Sequence, residues 1–447
     1  MTRKGGWLQD FLTSIADLRP GFASLKSKQS LEELSRELLS GDDETSMHRI
    51  GSAILGTYET ATKEEKFAFF RFLRDEMDID TTRIASLAEA YGDERDVAGF
   101  KALTRACDPQ RREWLRRLNQ VPGATAALVS MRAELMQKMH EEPSLGIVDA
   151  DFAHLFTSWF NRGFLEVRRV SWNSPASVLA KIIQYEAVHA IADWEDLQRR
   201  LQPNDRRCFA FFHPVMPDEP LVFVEVALCK GIPNSIETLL DIRDSELDEG
   251  AADTAAFYSI SNCQKGLRGI SFGNALIKQV VADLRRELPN LKNFVTLSPL
   301  PGFSDWLGSE AAGFDPQFVE SLMRDARVFD ASGDTSGLND HEASLKAAAS
   351  DYLVNAKRSD GRPLDPVARF HLMNGAAIHA VHAGADFSAN GVRNAYGVMV
   401  NYHYDLAFVA ARHEAFSQNA RVEASRAVMN QAASAKTRKR SKTSIAS

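Results

Sequence analysis

AAFYSISNCQKGLRGISFGNALIKQVVADLRREL, residues 255–288, is the stretch that decides the fold of the second half of this chain. It begins with an apolar strand at 255–261, passes through a loop with three glycines, and ends in an amphipathic helix at 273–288. A second apolar strand, NFVTLSP, follows at 293–299. A strand, a helix and a strand in this order predict a parallel crossover, which is right-handed in almost all proteins.

The loop inside this stretch carries Gly266, Gly269 and Gly273. Glycines let backbone N–H groups approach a ligand closely, and the start of the next helix adds unpaired donors and a positive dipole end. The loop lacks the GKS or GKT ending of a Walker loop, and it is not a GxGxxG motif after a first strand. Taken alone, it fits a tight turn as well as a cradle for a pyrophosphate.

The strand at 293–299 stops at Ser298, immediately before Pro299, with Pro301 two residues further on. Proline removes a backbone donor and pushes the preceding residue toward extended geometry. We therefore expect Ser298 to lie, extended, where the strand leaves its sheet. The local rules leave open whether this serine merely ends a strand or presents its hydroxyl to a ligand.

The remaining sequence predicts two domains and a tail. Residues 1–163 read as successive amphipathic helices and predict a helical, oligomerising domain. Residues 164–425 alternate strands and helices, with 207–214 and 221–229 as an antiparallel pair. The polar stretch 328–344 is expected to be an exposed loop, and the basic tail 426–447 is expected to be disordered.

Composition excludes several classes of protein. The 447 residues are 44% hydrophobic and 25% charged, which is typical of globular proteins. A net charge of −7 gives no support for a nucleic-acid partner or an anionic membrane. No apolar run is long enough to span a membrane, the amino terminus does not resemble a signal peptide, and the four cysteines have no CxxC spacing. We expect a cytoplasmic protein without disulfides.

The glycine loop also carries Gln264, and with the crossover it resembles the Q/R-x-x-G-x-G/A loop of GNAT acyltransferases. Five further motifs narrow the resemblance to the malonyl-CoA decarboxylase family. They occur in the family's order and spacing and are VSWNSP-x-x-VL-x-KI (170–182), EAVH (186–189), LSPLPGF (297–303), FHLMNGA (370–376) and VNYHY (400–404).

This resemblance implies a fold of class α + α/β. An all-helical bundle that mediates oligomerisation would precede a GNAT-like mixed α/β catalytic domain whose central strands splay apart. It also implies the decarboxylation of malonyl-CoA to acetyl-CoA and CO2, with malonyl-CoA as the partner of the site and a homo-oligomer as the assembly.

The resemblance also implies roles for particular residues. Ser298 of LSPLPGF and His371 of FHLMNGA match the family's catalytic serine and histidine, and Tyr404 matches an active-site tyrosine. The residues expected to bind coenzyme A lie on the strand at 255–261, in the glycine loop and at the start of the following helix. They are Ser259, Ser261, Gln264, Gly266, Leu267, Gly269, Gly273 and Asn274. Ser271 stands where animal members of the family have a glutamate, which leaves the proton path open.

The chemistry of decarboxylation fits this set. Loss of CO2 leaves negative charge that the thioester carbonyl accepts as an enolate, so we expect no metal or organic cofactor. The protein has to hold coenzyme A, stabilise the enolate oxygen and supply one proton. A serine hydroxyl is a weak acid, and a histidine that titrates near neutrality would polarise it.

Three alternatives stay open at this point. The chain could be an acyl-CoA N-acyltransferase of the same superfamily, or a non-catalytic acyl-CoA sensor that uses its helical domain as a scaffold. His379 and His382, read as one face of a helix with His403 downstream, also raise the possibility of a zinc site. A carboxylate or cysteine ligand is missing from that pattern, and we expect no metal there.

Overall fold

The computed structural model describes residues 29–41, 43–240, 247–270 and 273–440, without the side chains of 273–275 and 436–440. The chain forms two compact units, Met1–Leu155 and Phe156–Ser447. Among the described residues, no helix is both long enough and apolar enough to cross a membrane. The predicted domain boundary at 163/164 stays a prediction. The same holds for the prediction that the amino terminus is not a signal peptide, because residues 1–28 lie outside the described part of the chain.

The first unit is helical, as predicted. Ser30 caps the first helix, and Glu33 reaches back to the capping residue, which fixes where the helix starts. Apolar residues at helical spacing fill the interior, with Phe69, Trp114 and Leu128 fully buried. The helices are α1 Leu31–Ser40, α2 Glu44–Thr60, α3 Lys63–Asp75, α4 Thr81–Glu94, α5 Val97–Ala106, α6 Gln110–Leu118, α7 Ala124–Lys138 and α8 Gly146–Trp159.

The second unit is built on a mixed seven-stranded sheet with the order β1-β2-β3-β4-β5-β7-β6. Its strands are β1 Glu166–Val170, β2 Arg206–Phe212, β3 Val222–Cys229, β4 Thr254–Asn262, β5 Asn293–Pro299, β6 Ala377–His382 and β7 Met399–His403. Its helices are α9 Ala176–Tyr185, α10 Trp194–Leu201, α11 Ile236–Leu240, α12 Gly273–Glu287, α13 Phe303–Leu307, α14 Pro316–Ser332, α15 Ser336–Asp340, α16 Glu342–Asn355, α17 Pro366–Met373, α18 Ala389–Ala395, α19 Val409–Asn419 and α20 Arg426–Arg440.

The predicted crossover is confirmed. β4 and β5 are parallel and are joined through α12, whereas the other neighbouring strands in the sheet are antiparallel. All residues of β2, and all but the last of β3, are buried, which explains why these strands are mostly apolar on both faces. The helical unit followed by a unit with a mixed seven-stranded sheet confirms the predicted fold class, α + α/β.

Two predictions of irregular structure are wrong. The stretch 328–344 contains the end of α14 and all of α15. The tail predicted to be disordered from 426 begins with α20, whose Val428, Ala432 and Ala435 are buried. These apolar residues pack the helix against α16 and β6, and they outweigh the basic character of the residues that follow. Residues 441–447 lie outside the described part of the chain.

We predict that Gly375→Ala destabilises the protein more than Gly361→Ala does. Both glycines have positive φ, +82° and +77°, so alanine costs each about 1–2 kcal/mol of backbone strain. At Gly375, which follows α17, a Cβ atom would also overlap the carbonyl oxygen of Val409, whereas at Gly361 nothing lies within 4 Å. Overpacking adds about 1–3 kcal/mol. Urea unfolding of the two variants measures the difference, and equal losses would contradict the close approach.

Candidate active site

The site lies where β4 and β5 separate. Their parallel pairing runs from Thr254↔Asn293 to Phe257↔Thr296 and ends there. β4 then continues along β3 as far as Asn262, and β5 continues along β7 as far as Pro299. The predicted splay of the central strands is therefore present, and Ser298 lies on its β5 side.

A cavity of about 260 Å³ occupies this opening. The volume is below the range of about 300–1,000 Å³ for pockets that hold whole drug-sized ligands, so it suits the end of a longer molecule. Its walls come from β4, β5, α17 and the segment after α9: Phe257, Tyr258, Ile260, Asn262, Ser298, Pro299, Pro366, Val367, Phe370, His371 and Val188.

Ser298 and His371 line this cavity, and Tyr404 contacts His371 on the side away from Ser298. The Ser298 Oγ lies 3.2 Å from His371 Nε2, and His371 Nδ1 lies 2.8 Å from the Tyr404 hydroxyl. All three side chains are buried. Ser298 comes from the end of β5, His371 from α17, and Tyr404 from the residue after β7, so three elements that are distant in sequence build one chain of hydrogen bonds.

The hydrogen bonds that connect Tyr404, His371 and Ser298 run in one direction. Ser298 donates its hydrogen to Thr296 Oγ1 at 3.0 Å, so the Nε2–H of His371 donates to Ser298. A neutral imidazole has one donor and one acceptor nitrogen, and Nδ1 therefore accepts from the Tyr404 hydroxyl. Burial raises the pKa of Tyr404 far above its usual value, which keeps the hydrogen on the phenol.

Burial lowers the pKa of His371 to about 3. The imidazole is therefore neutral at physiological pH, which differs from the near-neutral titration expected from the sequence. Asp365 caps α17 through a hydrogen bond from the Ala368 N–H, and the Tyr402 ring stacks on the imidazole with centroids 4.4 Å apart. The helix cap and the stacked ring fix the position and the plane of His371.

The hydroxyls of Ser259 and Ser261 both donate to the carboxylate of Glu186, and Tyr258 and its neighbours on β4 line the cavity. The prediction that these two serines bind coenzyme A stays a prediction. Tyr258 is also the extra residue of a β-bulge, because Phe257 and Ser259 pair with consecutive residues of β3. The EAVH motif contains Glu186, but the motif alone assigns no role to its carboxylate.

The glycine loop connects β4 to α12. Gly269 has a φ of +86°, which favours glycine, and Gly266 lies in a tight turn with the buried Leu267. The amide of Gln264 donates to the Pro220 carbonyl and to Glu219 and so ties the loop to the turn between β2 and β3. Gly273 and Asn274 form the first turn of α12, and Ser271 lies outside the described residues.

The proposed histidine face is absent. His379 and His382 lie on β6, a strand, and His382 Nε2 contacts Asn401 Oδ1 at 2.6 Å. His379 packs against His403 with ring centroids 5.7 Å apart. Across the described ranges of the chain, no group of three or more histidine, cysteine or acidic side chains is arranged to hold a metal ion.

Comparison with known proteins points to one family. Residues 163–443 match the family model "Malonyl-CoA decarboxylase C-terminal domain", and residues 78–160 match the model of the N-terminal domain. The curated mitochondrial malonyl-CoA decarboxylase of Anser anser anser is 34% identical over 349 residues, 72% of this chain and 69% of the relative. That of Rattus norvegicus is 36% identical over 334 residues, 68% and 67% of the two chains.

Solved structures agree with this result. The malonyl-CoA decarboxylase from Agrobacterium vitis is 46% identical and superposes with a TM-score of 0.84, covering 90% of this chain and 99% of that chain. The malonyl-CoA decarboxylase from Rhodopseudomonas palustris is 45% identical and superposes with a TM-score of 0.82, covering 90% of this chain and 99% of that chain.

We predict that His371→Gln weakens the dependence of stability on acid pH. The pKa of His371 is about 3 in the folded protein and about 6.5 when exposed, so below pH 6.5 the unfolded chain binds the proton first. The free energy of unfolding therefore falls as the pH drops from 6.5 toward 3, by about 1.4 kcal/mol per pH unit from this group. Urea unfolding between pH 6.5 and 4.5 should give a slope that is shallower by this amount in the variant, and parallel slopes would contradict the buried neutral ring.

Proposed function

The chain belongs to the malonyl-CoA decarboxylase family of carboxy-lyases, and on this premise we propose that it converts malonyl-CoA into acetyl-CoA and CO2 in the cavity between β4 and β5. The observation that carries the proposal is the contact between Ser298 and His371 at the open end of the two strands. Proton donors buried beside a cavity for an acyl group are what the protonation of an enolate requires.

We propose that the glycine loop holds the pyrophosphate of coenzyme A. The loop precedes the start of α12, where backbone N–H groups have no partner within the helix and the dipole favours negative charge. From there the pantetheine arm would follow the free part of β4 into the cavity. Alternate N–H groups along an antiparallel strand point to opposite sides, so those of β4 that point away from β3 face the opening.

The reaction then needs one proton per turnover. The malonyl carboxylate would accept hydrogen bonds from Ser298 and from His371, whose imidazole is neutral in the empty site. An anion placed against the ring favours the imidazolium, so a proton from solvent binds with the substrate. Breaking the bond between the α-carbon and the carboxylate releases CO2, and the electron pair moves into the thioester carbonyl as an enolate.

Backbone N–H groups of β4 would stabilise the enolate oxygen, because donors placed where charge develops lower the barrier. The Ser298 hydroxyl gives its proton to the α-carbon, His371 Nε2–H replaces that proton, and the imidazole becomes neutral again with its hydrogen on Nδ1. The thioester acts as the electron sink, and we therefore propose that no metal or organic cofactor takes part. Tyr404 would stay in contact with Nδ1, because its hydroxyl donates to the unprotonated nitrogen and accepts from Nδ1–H of the imidazolium.

Assembly and location belong to the same proposal. We propose a homo-oligomer that associates through the helical unit, a cytoplasmic location, and no nucleic-acid partner. The curated relatives are named as mitochondrial proteins. The proposals on assembly, location and nucleic acid rest on the sequence of this chain.

We predict that the purified chain releases CO2 and forms acetyl-CoA from malonyl-CoA without an amine acceptor. Ser298→Ala and His371→Ala should each lower kcat by about 10²–10⁴-fold, the range for a positioned acid or base, while the affinity for acetyl-CoA changes little. Ser350→Ala is the matched control, because Ser350 is also buried but contacts Gln431. Turnover only with an amine would favour an N-acyltransferase, and binding without turnover would favour a sensor. A variant with near-native kcat would refute the role of that residue.

We predict a larger loss of kcat from Tyr404→Phe than from Tyr402→Phe. Both tyrosines are buried and both contact His371, but the Tyr404 hydroxyl holds Nδ1 whereas the Tyr402 hydroxyl has no hydrogen-bond partner among the described residues. Phenylalanine at 402 keeps the stacked ring. Steady-state kinetics of the two variants, with malonyl-CoA as substrate, measures the contribution of each hydroxyl to kcat. A larger loss of kcat in Tyr402→Phe would contradict the role of the Tyr404 hydrogen bond in positioning His371.

A further inference from the structure

Glu186 joins the free part of β4 to the segment that follows α9. Its buried carboxylate accepts the Ser259 hydroxyl, whose Oγ lies 2.8 and 2.7 Å from the two oxygens, and the Ser261 hydroxyl at 3.1 Å. The same carboxylate accepts the backbone N–H groups of Val188 and His189, each at 2.8 Å. Two serines and two backbone amides therefore share one acceptor.

These contacts lie next to residues that line the cavity. Ser259 and Ser261 lie on β4 just after Phe257, the last residue of this strand to pair with β5. Val188, held by Glu186, lines the cavity, and the Ala187 N–H donates to Ser261 Oγ at 3.2 Å. Glu186 therefore replaces, with side-chain hydrogen bonds, part of the support that β4 loses where β5 diverges.

We propose that Glu186 is a positioning residue for the decarboxylation: through Ser259 it fixes the free part of β4, whose backbone donors face the enolate oxygen. The proposal rests on the function proposed above. Catalytic donors must lie about 2.7–3.1 Å from the oxyanion, and a displacement of 1 Å costs about 100-fold in rate. A strand without its neighbour on one side needs such a support, and Glu186 supplies it from the side chain.

Glutamine at this position tests the carboxylate itself. The amide oxygen of Glu186→Gln can keep the N–H groups of Val188 and His189, but its NH2 then meets the hydroxyls of Ser259 and Ser261. The Ser261 hydroxyl, which contacts only Oε2, would have to turn and accept, because an amide nitrogen only donates. The Ser259 hydroxyl can still donate to the amide oxygen, but it loses the second carboxylate oxygen as an acceptor. The variant therefore keeps the shape of the site and weakens the hydrogen bonds that hold β4.

We expect Glu186→Gln in the full chain to lower kcat by about 10–100-fold, as a small displacement of β4 predicts, with KM for malonyl-CoA changed by less than about threefold. Hydrogen exchange of the peptide that covers 258–262 should become faster. Asp386→Asn is the control, because Asp386 is a buried carboxylate that accepts a backbone N–H from Ser388 and does not line the cavity. An unchanged kcat or unchanged exchange in Glu186→Gln would overturn the proposal.

A double variant separates positioning from a general loss of structure. If Glu186 acts through Ser259, then Ser259→Ala alone lowers kcat, and adding Glu186→Gln to it causes little further loss. If the losses of kcat from the two single variants multiply in the double variant, Glu186 does not act through Ser259. Should Glu186→Gln fail to fold, Ser259→Ala still decides, because wild-type kcat in that variant also overturns the proposal.

The outcomes distinguish this inference from the function on which it rests. A wild-type chain that releases no CO2 from malonyl-CoA overturns the proposed function. A wild-type chain that turns over, with Glu186→Gln indistinguishable from it, overturns only the role of Glu186.

Discussion

The structure of the site depends on one constraint, which is that β4 and β5 stop pairing after Phe257 and Thr296 while both strands continue. Because β3 and β7 still pair with them, each strand keeps one neighbour and the sheet opens without coming apart. The opening exposes backbone donors of β4 on one side and the Ser298 hydroxyl on the other. Pro299 ends β5 at the rim, where its missing N–H is not needed for a longer ladder.

A buried neutral histidine fits a site that must receive an anion. An imidazolium enclosed without a partner would be strongly disfavoured, and burial accordingly lowers the pKa of His371 to about 3. The ring is held from both nitrogens and from one face, so its position is fixed. In the proposed mechanism the malonyl carboxylate places a negative charge beside the ring, which would link proton uptake to substrate binding.

The sequence predicted those parts of the site that follow local rules. Pro299 placed Ser298 at the end of a strand, and the strand–helix–strand order predicted the crossover that carries it. Local rules could not bring His371 next to Ser298, since the two lie 73 residues apart, and only the family resemblance joined them. Glu186 was missed for a related reason: its acceptor role depends on serines 73 and 75 residues further on, and nothing in EAVH indicates them.

The segment 377–386 explains why one local rule gave the wrong structure. Ile378 and Val381 are both buried although they lie three residues apart, a spacing typical of a helix and incompatible with strict alternation in a strand. β6 accommodates it with a bulge, in which His379 is the extra residue between the pairs Ile378↔Tyr402 and Ala380↔Asn401. Tyr258 interrupts β4 in the same way, at the point where the cavity begins. A bulge shifts the side chains that follow it to the other face, so a period of two fails at these positions. After the bulge in β4, Ser259 and Ser261 contact Glu186, whereas Ile260 and Asn262 line the cavity.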